Sequence, residues 1–260
     1  MKFLRRLPPY LTGLVVPCLL LLAWWLGTDV GHAFTENQLP PPRRLWSALA
    51  ELVRHGDYSR HVSASLRRVG LGFAVGASFG LVIGTLVGLS RLVERLIDPT
   101  LQAVRNVPSL AWVPFLLLWL GIDETPKVAL IAIGAFFPVY LNLVSGIRQV
   151  DRNFVEVGEI FGLSRHALVL RIFLPAATPY ALTGLRIGIG QAWLFLVAAE
   201  LIASTRGLGF LLVDGQNNLR PDIMLVSILT LAVLGKIADS LLRFVEVKVL
   251  VWADTFGGQR

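Results

Sequence analysis

Residues 69–90 form a run of 22 without a single charged side chain. As a helix it would rise about 33 Å, enough to cross a hydrocarbon core of about 30 Å. A second such run, 128–147, has 20 residues, and 11–27 and 106–122 have 17 each, the short limit for a span. Two further segments, 181–203 and 223–244, span only by carrying Arg186 and Glu200, and Lys236 and Asp239. A large soluble α/β protein buries two or three runs of this kind, not six. With 55% hydrophobic residues, 16% charged residues and 24 glycines, the chain is too apolar for an ordinary soluble domain of 260 residues. The expectation is an all-α polytopic membrane protein with about six transmembrane helices.

The remaining composition narrows this further. Cys18 stands alone, which excludes an internal disulfide and a cysteine metal cluster. The start, MKFLRRLPPY followed by an apolar run, resembles a signal peptide. Trp24-Trp25 and the lack of a small-residue cleavage site favour a retained first helix instead. The net charge of +7 is dispersed along short loops, which argues against nucleic acid. An even number of spans puts both termini on one side. With the termini cytoplasmic, 13 basic residues fall inside and nine outside, a weak positive-inside bias. Four scattered histidines make no metal site, and no Ser/His/Asp arrangement supports an enzyme. Asp123 and Glu124 read as solvated turn residues.

Along the chain, 1–65 reads as a first transmembrane helix and an external segment with a surface helix near 45–54. Residues 66–250 read as the core transmembrane domain, with a charged insert at 148–178, and 251–260 as a cytoplasmic tail. Span 2 carries Gly72, Gly76, Gly80, Gly84 and Gly88, each four residues from the next. That spacing keeps them on nearly one helix face, a smooth groove for close backbone approach. Either a sliding partner helix or static packing within the chain satisfies the pattern. Span 5 repeats it with Gly184 and Gly188. Pro108, Pro114 and Pro138 fall inside or at the rims of spans 3 and 4 and break ladder bonds, which lipid tolerates only where protein or a wet cavity takes up the freed backbone groups.

The insert contains EVGEIFGLSRHALVLRIFLP, residues 156–175. Asp151 and Ser164 are positioned to cap two short helices, Gly162 permits a reversal between them, and Pro175 is expected to help end the second. A compact helix–turn–helix element with a mixed charged and apolar surface suits docking of another protein. The order Glu156, Val157, Gly158, Gly162, Ile172, Leu174, Pro175 resembles the "EAA" signature of permease subunits of binding-protein-dependent ABC importers. Its spacing is intact, with Val157 and Gly158 in place of two alanines. The stretches SLRRVGLGFAVGASFGLVIGTLVGLSR, NVPSLAWVPFLLLWLGI, FFPVYLNLVSGIRQVD, PAATPYALTGLRIGIGQAW and LVAAELIASTRGLGFLL resemble the nitrate/sulfonate/taurine branch, over roughly 40–250.

The resemblance implies a type I importer permease fold in the bacterial cytoplasmic membrane. It implies a pair of permease copies around a central path, two cytoplasmic ATPases gripping the insert helices, and an external binding protein. The seven signature residues would then couple ATP hydrolysis to alternating access. The chain has no G-x-x-x-x-G-K-[ST] run, so ATP and Mg²⁺ belong to the partner ATPase and no cofactor is expected here. Small anions are the implied cargo, first aliphatic sulfonates or taurine, with nitrate, bicarbonate or a thiamine precursor as alternatives. An ion-coupled secondary carrier or a non-transporting scaffold is the alternative of another class. For the path, Asn142 and Gln191 are candidates for neutral hydrogen bonding. Arg186 is a candidate for anion passage or for a cytoplasmic-side ion pair. Glu200 is a candidate gate contact, arginine partner or vestibule residue, or a headgroup-level carboxylate steadying 206–215.

Overall fold

The computed structural model describes residues 9–31 and 33–251. His32, Lys2, Arg5, Arg6 and nearly all of the 251–260 tail lie outside these described residues. Among the described residues every regular element is helical. Helix α1 (Pro9–Trp25) runs into a π-helical turn, and α2 (Pro42–Arg54) follows. Then come α3 (Asp57–Leu89), α4 (Arg91–Asn106), a 3-10 turn at Ser109–Trp112, α5 (Val113–Leu120) and α6 (Glu124–Arg148). The insert forms α7 (Arg152–Ile160) and α8 (Arg165–Leu168), and a π-helical turn at Val169–Phe173 leads into α9 (Leu174–Ala203). The chain closes with α10 (Leu208–Asn217) and α11 (Pro221–Val249).

The centre is α6, held between α3 and α9. Ile131, Ala135 and Val139 are fully shielded, and Tyr140, Leu143 and Ile147 nearly so. The five-glycine stripe of α3 lies against α6 of the same chain along its whole length. A Cβ at Gly76 would stand 2.2 Å from the Ala132 carbonyl oxygen, and one at Gly80 would stand 2.9 Å from that of Phe136. Backbone meets backbone there, and any side chain would force the helices apart. On the other side, Gly184 meets Pro138 and Asn142, and Gly188 meets Ala135. In return, α6 offers Gly134 to Phe195 and Gly146 to Tyr180. Outside this sandwich, α2 buries Leu45, Ala48 and Leu52 against Leu211, Ile223 and Val226. In α1, Leu19, Leu20 and Leu21 are exposed, as a lipid-facing helix requires.

Two expectations need correction. Among the described residues four helices are long and apolar enough to cross a membrane: Asp57–Leu89, Glu124–Arg148, Arg165–Ile202 and Pro221–Val249. The first expected span is a shorter apolar helix, Val15–Val30. The third, 106–121, is reduced to Ser109–Leu120, too short to cross by itself. Arg91–Asn106 and Ser109–Leu120 meet at 92°, so counting that pair as one gives five full spans at most. The break follows from Pro108, which cannot donate to the helical ladder and holds Val107 extended, at φ −73° and ψ 124°. Residues 91–106, expected as a cytoplasmic connection, are instead helix α4. The second correction concerns Pro175, which ends nothing. Leu174 donates to the Val169 carbonyl in a π-type bond, and the helix continues unbroken from Arg165 to Ile202. The π turn takes up the register that a proline disturbs in an α-helical ladder.

Candidate functional site

The insert is built by local rules. Asp151 Oδ1 accepts from the Asn153 amide at 3.0 Å and starts α7. Helix α7 ends in a Schellman motif: Gly162 N donates to Glu159 O at 2.9 Å, and Leu163 N to Gly158 O at 3.0 Å. Gly162 supplies the required positive φ of 73°. Ser164 Oγ then accepts from Ala167 N and opens α8. The signature spacing has a packing reason. Gly158 is the buried residue of α7, and a Cβ there would lie 2.7 Å from Ile172 Cδ1 and 2.6 Å from Leu168 Cδ2. So α7 stands directly on the π turn that carries Ile172, and Leu174-Pro175 continue that turn into α9.

What this leaves outside is apolar. Phe154 is 65% exposed, Ile160 82% and Phe161 81%, with Val157 half exposed beside them and Glu156 and Glu159 alongside. Behind α7, Arg91, Arg148, Arg152 and Glu156 line a polar cavity of about 580 Å³. Arg148 is paired there with Glu94 at 2.8 Å.

At the opposite end of α6 lies a buried charge network that the sequence alone did not assemble. Arg68 is 3% exposed and Glu200 1%. Arg68 Nη1 donates to Glu200 Oε1 at 2.6 Å and to the Arg206 carbonyl at 2.6 Å. Its Nε and Nη2 donate to both oxygens of Glu124, at 2.6 and 2.7 Å. Lys127 adds a 3.2 Å contact to Glu124. Glu200 also accepts from Ser65 Oγ at 2.8 Å and from Gly209 N at 2.7 Å. Ser65 Oγ in turn accepts from Leu208 N. Two cations and two carboxylates balance; buried Glu200 is held by several donors, as burial demands, while Glu124 closes the network at the surface with its side chain 60% exposed. Gly207, at φ 124°, leaves room for this, since a Cβ there would stand 2.2 Å from Glu200 Oε1. Glu124 is therefore not a merely solvated turn residue. Arg68 and Ser65 are the residues that sequence reasoning missed.

The other path candidates do not converge on Glu200. Arg186 pairs with Asp239 at 3.1 Å and with Glu246 at 2.9 Å, joining α9 to α11. Asn142 Nδ2 donates to the Pro138 carbonyl of its own helix at 2.8 Å. Gln191 is half-buried on α9.

Residues 76–251 match the family profile described as "Binding-protein-dependent transport system inner membrane component". The chain is 39% identical to a Bacillus subtilis protein named as an aliphatic sulfonates transport permease, SsuC, over 98% of this chain and 92% of the relative. It is 34% identical to the taurine transport system permease protein TauC of Escherichia coli, over 90% of this chain and 86% of the relative. It is 35% identical to the nitrate import permease protein NrtB of a Synechocystis strain, over 73% of this chain and 69% of the relative. In fold it resembles a chain of the MetNI methionine ABC transporter in an inward-facing conformation, with a TM-score of 0.65 at 17% identity. That likeness covers 73% of this chain and 94% of the other. A bundle of apolar helices around a glycine-packed centre, bearing a signature insert and matched across two thirds of its length, belongs to the binding-protein-dependent transport system inner membrane components.

Proposed function

We propose that the chain is the permease subunit of an ATP-driven importer of small oxyanions, with aliphatic sulfonates or taurine as cargo. Two copies pair around the path, and an external binding protein delivers the anion. Two separate ATPases dock on the α7–α8 insert and supply the ATP and Mg²⁺ chemistry, so this chain is not itself an enzyme. Both termini and the insert face the cytoplasm. The observation that carries the reading is the insert tip. Ile160 and Phe161 are each more than four-fifths exposed on a rigidly capped helix, beside Glu156 of the signature. A soluble loop has no use for such a tip, whereas a partner pocket does. The sulfonate and taurine relatives support the cargo, and the nitrate relative favours nitrate as the runner-up.

The test is reconstitution in proteoliposomes with the ATPase and binding protein that co-purify from native membranes. Uptake of taurine or an alkanesulfonate is expected only with ATP. Glu156→Ala and Gly162→Val are expected to abolish substrate-stimulated ATP hydrolysis while the chain stays in the membrane. Uptake without ATP, or normal stimulation in both variants, would refute the coupling role.

A further inference from the structure

Helix α4 has two unlike faces. At 100° per residue, Val93, Ile97, Leu101 and Val104 share one side, and the first three pack toward Val87, Tyr140 and Val144. Arg91, Arg95, Asp98, Gln102, Arg105 and Asn106 fall on the other side, within an arc of about 100°. All of these except Asp98 are exposed. The two acids of the helix are engaged. Glu94 holds Arg148, and Asp98 accepts from the Tyr140 hydroxyl and from Gln102 Nε2. Arg91, Arg95 and Arg105 take part in no ion pair among the described residues.

The depth of this stripe decides its meaning. Glu94 meets Arg148, the last residue of α6, and Asp98 meets Tyr140 two turns further in. Val104 shares an apolar cavity with Ala132 and Phe136, and Phe136 is the middle residue of α6. A helix lying flat at the headgroups would stay at one level of α6. Instead α4 climbs steeply, and the stripe runs about 22 Å from the insert end to mid-depth. It stops where Val107-Pro108 breaks the helix and leaves Val107 and Leu110 exposed. Hydrocarbon accommodates neither a lone arginine nor irregular backbone at that depth. Water can, and discontinuous helices at mid-depth are where transporters handle their cargo.

We propose that the polar stripe of α4 is one wall of a wet passage for small oxyanions, with Arg105 and Asn106 as its innermost contact. The inference rests on the anion-import reading above. A sulfonate or nitrate offers three acceptor oxygens, which a guanidinium fork and a carboxamide match. Three arginines with no ion pair among the described residues, spread along the passage, attract the anion at several places without trapping it at one.

The experiment uses the complete transporter in vesicles, in a Cys18→Ser background, with single cysteines at Arg95, Leu96, Gln102 and Asn106. The probes are sulfonatoethyl methanethiosulfonate, an anion, and its trimethylammonium counterpart. Cysteines at 95, 102 and 106 are expected to react about tenfold faster with the anionic reagent, while the Leu96→Cys variant reacts with neither. Taurine uptake in the same vesicles is expected to fall at least about tenfold in Arg105→Gln and to recover partly in Arg105→Lys. Reaction at the stripe as slow as at Leu96→Cys would overturn the inference, as would the absence of charge preference. Reaction at 95 alone would assign the arginines to anionic lipid headgroups and overturn it too. A dry stripe in vesicles that import taurine with ATP sinks this inference only. Vesicles without ATP-driven uptake sink the importer reading, and labelling still tests the stripe.

Discussion

A carboxylate 1% exposed inside a spanning helix persists only because Arg68, Ser65 and Gly209 surround Glu200 with donors. Removing one partner of such a pair strands the other charge, which costs about 3 kcal/mol or more. Arg68→Met, which strands Glu200, is therefore expected to lower thermal stability sharply in detergent, and Glu200→Gln to lower it less, because Glu124 still holds Arg68. The double variant is expected to lose clearly less than the sum, because neither charge is then left alone. Additive losses measured by thermal melting would mean that the two side chains act independently. Only half of this site was legible in the sequence. Glu200 announces itself as an acid within an apolar run, but Arg68 lies 132 positions away at the head of another. Read by hydropathy, Arg68 is a flanking charge on the outer side, and no local spacing ties the two together. The glycine stripe is the opposite case, because its period of four is itself the statement of close packing.

At the scale of elements, legibility followed how local the controlling chemistry is. The caps at Asp151 and Ser164 and the reversal at Gly162 are set by a few neighbouring atoms, so the insert could be drawn from its sequence. Pro175 could not, because a π turn one step upstream lets the helix pass through it. Hydropathy likewise took 106–121 as a span by itself, where Pro108 sets a short Ser109–Leu120 off from α4 at 92°. Helix α2 carries a prediction of its own. Its apolar face is seated on α10 and α11, and Glu51 reaches Arg220 at 2.9 Å. The hydrogen bond from Arg220 holds the Glu51 carboxyl below its ordinary value of 4.5. A depressed carboxylate contributes its stabilisation above the unfolded pKa and loses it as pH falls through the folded one. At neutral pH, Glu51→Gln is thus expected to speed amide exchange in α2 relative to the wild type. That difference should narrow progressively below pH 4.5, once intrinsic exchange rates are corrected for. The effect is small, since both side chains are at least a third exposed. A difference independent of pH would remove the ion pair as its cause.

Taken whole, the molecule places its two chemically distinctive ends on one continuous body. The Arg68–Glu200 network ties α3 and α9 at one end of α6, and the insert leaves from α6 and enters α9 at the other. Between them, α3, α6 and α9 interlock backbone to backbone, which leaves little freedom to slide. The 92° break between α4 and α5 has no such packing on its exposed side. If two copies pair as proposed above, alternating access has the three-helix body moving as a unit, with local rearrangement confined to α4, α5 and the contact between copies. A cross-link inside the body tests this. A Cβ built at Gly84 lies 3.4 Å from Leu143 Cβ, close to disulfide geometry with a small outward shift of α3. Gly84→Cys with Leu143→Cys, in the Cys18→Ser background, is expected to oxidise readily. ATP-driven uptake should then be the same before and after oxidation. Loss of uptake on oxidation, restored by a reductant, would show instead that α3 must slide along α6 during the cycle. The five-glycine stripe would then be a track, and the rigid-body account would fall.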